Sequence, residues 1–130
     1  MMTTSAPTGV ETRTTVQQYF ERIRAGTDWA ALLAGSVVFV SRTSPEREVR
    51  GRDAYVQATN GFYRMIVDFT VRDLIVDGDR ACALTRYRLR PPSGVEFDSD
   101  VAELFTVKDG AIDSLAIYFD TAPYPKRPSK

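Results

Sequence analysis

The chain has 130 residues, 43% of them hydrophobic and 11% aromatic, and its 17 basic and 17 acidic residues give a formal net charge of zero. This composition predicts a single globular domain with its own core, and the lack of a basic surplus argues against nucleic acid or an anionic membrane as a partner. The absence of histidine and the presence of a single cysteine, Cys82, exclude the usual zinc sites, a Ser-His-Asp triad and an intrachain disulfide.

Both ends of the chain are predicted to lie outside the domain. Residues 1–11 are rich in Thr, Ser and Pro without the apolar run of a signal peptide, which indicates a flexible N-terminal tail. Residues 122–130 contain three prolines and are expected to be extended and exposed. The longest apolar stretch, 29–40, is too short to cross a bilayer, so we expect a cytoplasmic protein with one domain over 12–121.

Helical periodicity dominates the first half of the chain. A first helix is predicted over about 15–25, with Thr15 and Gln18 as a capping box. Its apolar stripe consists of Val16, Tyr19, Phe20 and Ile23. We expect a short second helix capped by Asp28 and a third helix over about 51–65.

From residue 66 the apolar pattern changes to the alternation of β-strands. Turn signals at 77–79, 91–94 and 109–110 separate the predicted strands. These strands cover about 67–76, 80–90, 95–107 and 111–120. With earlier strands at 37–40 and 47–50, the sequence predicts the α+β class, in which helices pack on one curved antiparallel sheet.

The hairpin around 92–94 predicts its own register. A three-residue loop pairs positions whose numbers sum to 186, which aligns three arginine–carboxylate pairs on one sheet face. These pairs are Arg90 with Glu96, Arg88 with Asp98 and Arg86 with Asp100. The opposite face is apolar except for Glu103. Because a buried carboxylate is costly unless it is paired or protonated, Glu103 is either a functional group or a structural one bonded to an amide or a partner subunit.

Several segments resemble a known family. Residues 16–20 with 25–26 are similar to the opening helix of ketosteroid isomerases, 51–54 to the start of their third helix, and 105–112 with 118–120 to their closing hairpin. Over 14–121 the chain therefore resembles the nuclear transport factor 2-like (NTF2-like) superfamily, in its ketosteroid isomerase and SnoaL-like polyketide cyclase branch. The resemblance implies a cone-like fold around an apolar pocket and a homodimer paired through Leu104, Ala116 and Tyr118.

The same resemblance implies a site. Tyr19 matches the tyrosine that donates a hydrogen bond to an enolate, although a core role explains it as well, and Glu103 matches the acid held protonated beside it. The position of the general base is occupied by Ser41, whose hydroxyl cannot take a proton at neutral pH without a neighbouring base. The other residues expected to contact substrate are Trp29, Phe39, Tyr55, Phe62, Tyr87, Phe97, Ser99, Val101, Leu115, Ile117 and Phe119.

These residues favour an acid/base enzyme that needs no cofactor or metal and acts on a small apolar carbonyl compound by isomerisation, cyclisation or dehydration. Glu103 is then either a protonated hydrogen-bond donor or a general base with a pKa near neutrality. The alternative is a non-catalytic module for ligand binding or dimerisation, in which Glu103 is structural. The two hypotheses differ in whether Glu103 and Tyr19 both reach an open cavity.

Overall fold

The computed structural model describes residues 9–43 and 45–124, which form two α-helices, one 3₁₀ helix and six strands. In chain order the elements are α1 (Gly9–Ala25), the 3₁₀ helix (Trp29–Leu32), β1 (Leu33–Ser41), β2 (Arg47–Arg50), α2 (Arg52–Met65), β3 (Ile66–Asp77), β4 (Arg80–Leu89), β5 (Phe97–Lys108) and β6 (Ala111–Phe119). Strands β2 to β6 and α2 lie close to the predicted ranges, whereas β1 begins four residues before the predicted 37–40. The α+β class is confirmed.

The strands form one sheet in the order β2-β1-β6-β5-β4-β3. The predicted meander from β3 to β6 is confirmed, since each of these strands pairs antiparallel with the next. The expectation of a wholly antiparallel sheet is wrong in one place, because β1 runs parallel to β6. A parallel pair requires a long connection, and the chain from β2 to β5 supplies it.

The predicted register of the β4–β5 hairpin is confirmed. Arg88 pairs with Asp98 and Arg86 with Asp100, and ion pairs of 3.1 Å and 2.8 Å join the same residues. These side chains are exposed on the outer face of the sheet, so each pair contributes at most about 1 kcal/mol. Their main consequence is that Glu103, opposite Ala83, faces the helices.

Helix α1 begins at Gly9, six residues before its predicted start. Thr15 is not a cap, because its hydroxyl donates to the Glu11 carbonyl at 3.0 Å inside the helix. The buried hydroxyl of Thr12 donates to the Gly78 carbonyl at 2.7 Å and ties the first turn to the β3–β4 turn. The boundary expected after residue 11 is therefore wrong, since 9–11 belong to α1. The sequence carries no signal for the contact between Thr12 and Gly78. Residues 1–8 lie outside the described residues.

The second predicted helix is a single 3₁₀ turn. Asp28 precedes it in the left-handed region with a φ of 36° and makes no side-chain cap hydrogen bond, so the predicted cap is wrong. Strand β1 already begins at Leu33 and runs through Gly35.

The start of the C-terminal tail differs from the expected exposed segment. Tyr124 is half-buried, and its ring centroid lies 5.0 Å from that of Phe97 and 5.2 Å from that of Phe119. Its hydroxyl hydrogen-bonds the Ser99 hydroxyl at 2.8 Å. Aromatic packing after Pro123 thus returns the chain to the sheet, and 125–130 lie outside the described residues.

Helices and the concave sheet face together enclose the core, whereas the outer face is more exposed. On the outer face Leu104 and Ala116 are half-buried and Tyr118 is 51% exposed. The expected homodimer would use these residues and stays a prediction. In the described part of the chain, neither α-helix has the length and hydropathy of a membrane span.

Candidate functional site

A cavity of about 380 Å³ lies between the concave sheet face and α2. It is lined by Phe39, Ser41, Thr43, Pro45, Arg47, Tyr55, Ala58, Thr59, Phe62, Tyr63, Tyr87, Val101, Glu103, Ile117, Phe119 and Tyr124. Aromatic walls with a few polar groups, in this range of volume, are typical of small-molecule sites. Another depression, of about 580 Å³, is lined mainly from the outer sheet face, by exposed residues such as Arg72, Asp100 and Tyr118, so we assign the site to the inner cavity.

Glu103 is the buried carboxyl group of this cavity. Strand alternation along β5 places it on the concave face with Val101 and Phe105, and it is only 5% exposed. The hydroxyl of Tyr87 on β4 donates to Glu103 Oε2 at 2.9 Å. This hydrogen bond fixes the direction of the carboxyl group, which also lines the open space.

Burial raises the pKa of Glu103 to about 7, because the charged form loses hydration, and the hydroxyls of Tyr87 and Thr85 partly offset the rise. Thr85 Oγ1 is buried and makes no hydrogen bond within the described ranges, so we interpret its effect on the carboxyl group as that of a nearby dipole. Near neutral pH both forms of Glu103 are populated. The group can therefore either take or give a proton.

Three tyrosine hydroxyls form a cluster beside the cavity. Tyr19 Oη lies 3.0 Å from Tyr55 Oη and 2.7 Å from Tyr63 Oη, whereas the latter two are 3.4 Å apart. Burial raises the pKa of Tyr55 to about 12, and it also raises the pKa of Tyr19 and that of Tyr63 well above the usual value. All three hydroxyls are therefore protonated at neutral pH.

Counting protons in this cluster leaves one proton that is not used in the two short hydrogen bonds of Tyr19. Tyr19 has a single hydroxyl proton, so it donates to one neighbour and accepts from the other. The neighbour that accepts from Tyr19 keeps its own proton, which it can donate within the cluster only through the longest of the three hydrogen bonds, the 3.4 Å contact between Tyr55 and Tyr63. Because Tyr55 and Tyr63 both line the cavity, either can present this proton to a bound molecule.

Nine of the predicted site residues line the cavity: Phe39, Ser41, Tyr55, Phe62, Tyr87, Val101, Glu103, Ile117 and Phe119. Five others do not, namely Tyr19, Trp29, Phe97, Ser99 and Leu115. The expected direct pair of Tyr19 and Glu103 does not form, because Tyr19 is fully buried against Tyr55 and Tyr63 while Glu103 bonds Tyr87.

The other displaced residues have local causes. The ring of Trp29 packs on Tyr63 with a centroid distance of 4.8 Å, and Leu115 belongs to the core at 2% exposure. Phe97 and Ser99 both contact Tyr124, which takes their place in the cavity wall.

Sequence reasoning missed five polar lining residues: Thr43, Arg47, Thr59, Tyr63 and Tyr124. Tyr63 lies eight residues after Tyr55 in α2, and this helical spacing was a usable signal. Arg47 pairs with Ser41 across β1 and β2, so its position depends on a register that the sequence does not specify. Tyr124 follows the last strand and had no periodic signal. Within 9–43 and 45–124, no cluster of three or more acidic or cysteine side chains could hold a metal.

Comparison with known proteins now adds the family. The model of the SnoaL-like domain matches residues 16–115, from within α1 to the middle of β6. The chain belongs to the SnoaL-like domain family. A comparison of this SnoaL-like chain with curated proteins finds no match.

Solved structures share the architecture of this SnoaL-like domain. A candidate SnoaL-like polyketide cyclase from Jannaschia sp. CCS1 is 20% identical with a TM-score of 0.74, covering 96% of this chain and 100% of that one. A nuclear transport factor 2-like protein from Burkholderia xenovorans is 19% identical with a TM-score of 0.74, covering 92% and 95%. A candidate ketosteroid isomerase from Kribbella flavida is 25% identical with a TM-score of 0.69, covering 92% and 84%. The fold is thus NTF2-like, as the sequence resemblance implied.

Proposed function

We propose that this SnoaL-like protein is a cofactor-independent acid/base enzyme that transfers a proton next to the carbonyl group of a small apolar compound. The observation that carries the proposal is the placement of Glu103. This buried carboxyl group is held by Tyr87 and faces an aromatic cavity that Tyr55 and Tyr63 also line. A base and a hydrogen-bond donor at one cavity are the two groups that enolate formation requires.

Glu103 acts as the proton-transfer group. As a carboxylate it takes a proton from the carbon next to the substrate carbonyl, and as a carboxylic acid it returns the proton to the same or a conjugated carbon. The hydrogen bond from Tyr87 keeps one carboxyl oxygen in place, which leaves the other to face the substrate. A pKa of about 7 suits both steps at neutral pH.

The hydroxyl proton of Tyr55 or Tyr63 that is not shared with Tyr19 stabilises the enolate oxygen, and this hydrogen bond replaces the long 3.4 Å contact within the cluster. Because these hydroxyls stay neutral, they donate to the oxygen as its negative charge develops. Tyr19 does not line the cavity and is a positioning residue, since it holds both hydroxyls through its two short hydrogen bonds. Removing a hydrogen-bond donor to the enolate oxygen typically lowers the rate of the reaction by about 10²–10³-fold.

Glu103 replaces the base that the family resemblance places at Ser41. Ser41 pairs with Ile117, and Ile117 pairs with Glu103, so the two polar residues lie two strands apart in one row across the sheet. Both line the same cavity, so a carboxylate at Glu103 reaches the space that Ser41 faces. Isomerisation, aldol cyclisation and dehydration all proceed through the enolate that this arrangement favours.

Deuterium exchange tests the proposal. The purified protein is incubated in D₂O with 1-indanone, an apolar ketone with exchangeable protons beside its carbonyl, and loss of those proton signals is followed by NMR. We expect exchange faster than in buffer, and Glu103→Gln should slow it by about 10²-fold or more. Tyr118→Phe, on the outer face, is the matched control.

The result also separates the enzyme from a binding module. Equal exchange with the wild type, with Glu103→Gln and in buffer, while 1-indanone binding shifts cavity resonances, would support the non-catalytic alternative. Exchange that persists in Glu103→Gln would contradict the role of this residue.

A further inference from the structure

Arg47 lies on the cavity face of the sheet. It pairs with Ser41 across β1 and β2, and directly paired residues project to the same face. Both residues line the cavity. Because β2 is an edge strand, Arg47 is exposed, at the mouth of the cavity. Its partner Ser41 lies one strand further into the sheet.

Arg47 has no acceptor of its own within the part of the chain that the structure describes. Neighbouring arginines do: Arg42 pairs with Glu46, and Arg50 pairs with Glu48. Arg47 makes neither an ion pair nor a side-chain hydrogen bond there, although its guanidinium group carries five donors. A cation left in this state beside an apolar cavity is suited to an anionic ligand group.

Arg47 and Glu103 lie in one transverse row of the sheet. The row runs from Arg47 to Ser41, then to Ile117, and then to Glu103. Three strand spacings separate its ends, which corresponds to about 14 Å between Cα atoms. When the side chains of Arg47 and Glu103 extend into the cavity from these ends, a small organic acid fits in the space between them. Apolar Ile117 lies along this space.

We propose that the substrate is an apolar carbonyl compound that also carries a carboxylate, and that Arg47 binds this carboxylate at the cavity mouth. The inference rests on the proposed function and specifies its substrate class. A planar guanidinium group matches a carboxylate with two parallel hydrogen bonds, and the hydroxyl of Ser41 on the same wall can add to them. The substrate carbonyl then lies toward Glu103, so Arg47 sets the orientation of binding.

A matched pair of probes tests the inference. 4-Oxo-4-phenylbutanoate carries a ketone and a carboxylate, and its primary amide has nearly the same shape without the charge. Affinities for both are measured by calorimetry at low salt. We expect the wild type to bind the acid roughly tenfold more tightly than the amide.

Arginine variants then test whether Arg47 causes the preference for the acid. Arg47→Gln should bring acid binding down to the level of the amide without changing amide binding, and Arg47→Lys should keep part of the preference, because it retains charge but not the bidentate geometry. Arg64→Gln removes the same charge from an exposed residue that does not line the cavity and should leave both affinities unchanged.

Three results would overturn the inference: equal affinity of the wild type for acid and amide, an equal loss of both in Arg47→Gln, and the absence of binding by either probe. Deuterium exchange of uncharged 1-indanone, which does not need Arg47, reports separately on the proposed function.

Discussion

The hydroxyl of Tyr87 donates a 2.9 Å hydrogen bond to Oε2 of the buried Glu103. Strand β4 thus supplies the hydrogen-bond donor and β5 supplies the carboxyl group, and the register of the two strands brings these groups together. The bond stabilises the charged form of a carboxyl group that burial drives toward the neutral form. This balance keeps Glu103 able to exchange protons near neutral pH.

Replacement of Tyr87 by Phe should raise the pKa of Glu103 further. The variant removes a hydrogen bond that favours the carboxylate and keeps the ring that buries it. Titration of the Glu103 side-chain carbon by ¹³C NMR measures the change. Tyr118→Phe should leave the value unaltered, and an unchanged or lower pKa in Tyr87→Phe would disagree with the structure.

The stability of the protein should fall as pH rises through neutrality. The pKa of Glu103 is about 7 in the folded protein and 4.5 in ordinary surroundings, so the folded state binds more protons between these values. The stabilisation is complete below about 4.5 and is lost as pH rises through 7, which amounts to roughly 3 kcal/mol.

Glu103→Gln should remove this dependence, because glutamine does not ionise. Urea unfolding at pH 5 and pH 8 compares the two proteins, and the variant should gain stability relative to the wild type at pH 8. The same difference between the proteins at both pH values would show that Glu103 does not have a raised pKa.

Tyr19→Phe should weaken the hydrogen bonding of the tyrosine cluster, while the phenylalanine ring still fills the space of the tyrosine ring. It removes two short hydrogen bonds and leaves Tyr55 and Tyr63 with a contact of 3.4 Å, so we expect a loss of roughly 1–2 kcal/mol in unfolding free energy. Deuterium exchange of 1-indanone should slow while its pH profile keeps the Glu103 pKa. Unaltered stability and exchange would contradict a positioning role.

Part of the candidate site could be predicted from the sequence. Glu103 was found because a turn of known length fixed the β4–β5 register, and strict alternation then placed one carboxylate on an apolar face. Tyr19 was placed on the buried stripe of α1 correctly. Its contacts depend on how α1 packs against α2, and no local pattern encodes the packing that brings Tyr19 to Tyr55 and Tyr63.

Other parts depend on contacts between distant segments. Helix α1 extends back to Gly9 because Thr12 bonds the carbonyl of Gly78, 66 residues away. The parallel pairing of β1 with β6 brings Ser41 into the row of Glu103, and Tyr124 completes the wall through its contacts with Phe97 and Ser99. Propensity and periodicity describe neighbours along the chain and carry no information about these pairs.

Opening the cavity wall at Tyr124 should lower the pKa of Glu103. Tyr124→Ala removes a ring that lines the cavity and packs on Phe97 and Phe119. Water admitted beside the carboxyl group would restore hydration of its charged form. Tyr124→Phe keeps the ring, loses only the hydrogen bond to Ser99, and should leave the pKa near the wild-type value. Equal values in the two variants would contradict a water-excluding role for the ring.

The pKa of Glu103 in the unliganded protein is the most direct test of the account. Titration of its carboxyl carbon by NMR, assigned by the signal missing in Glu103→Gln, should give a value near 7. A value close to the ordinary 4.5 would mean that the carboxylate is solvated or paired, and Glu103 would then not be the proton-transfer group of this cavity.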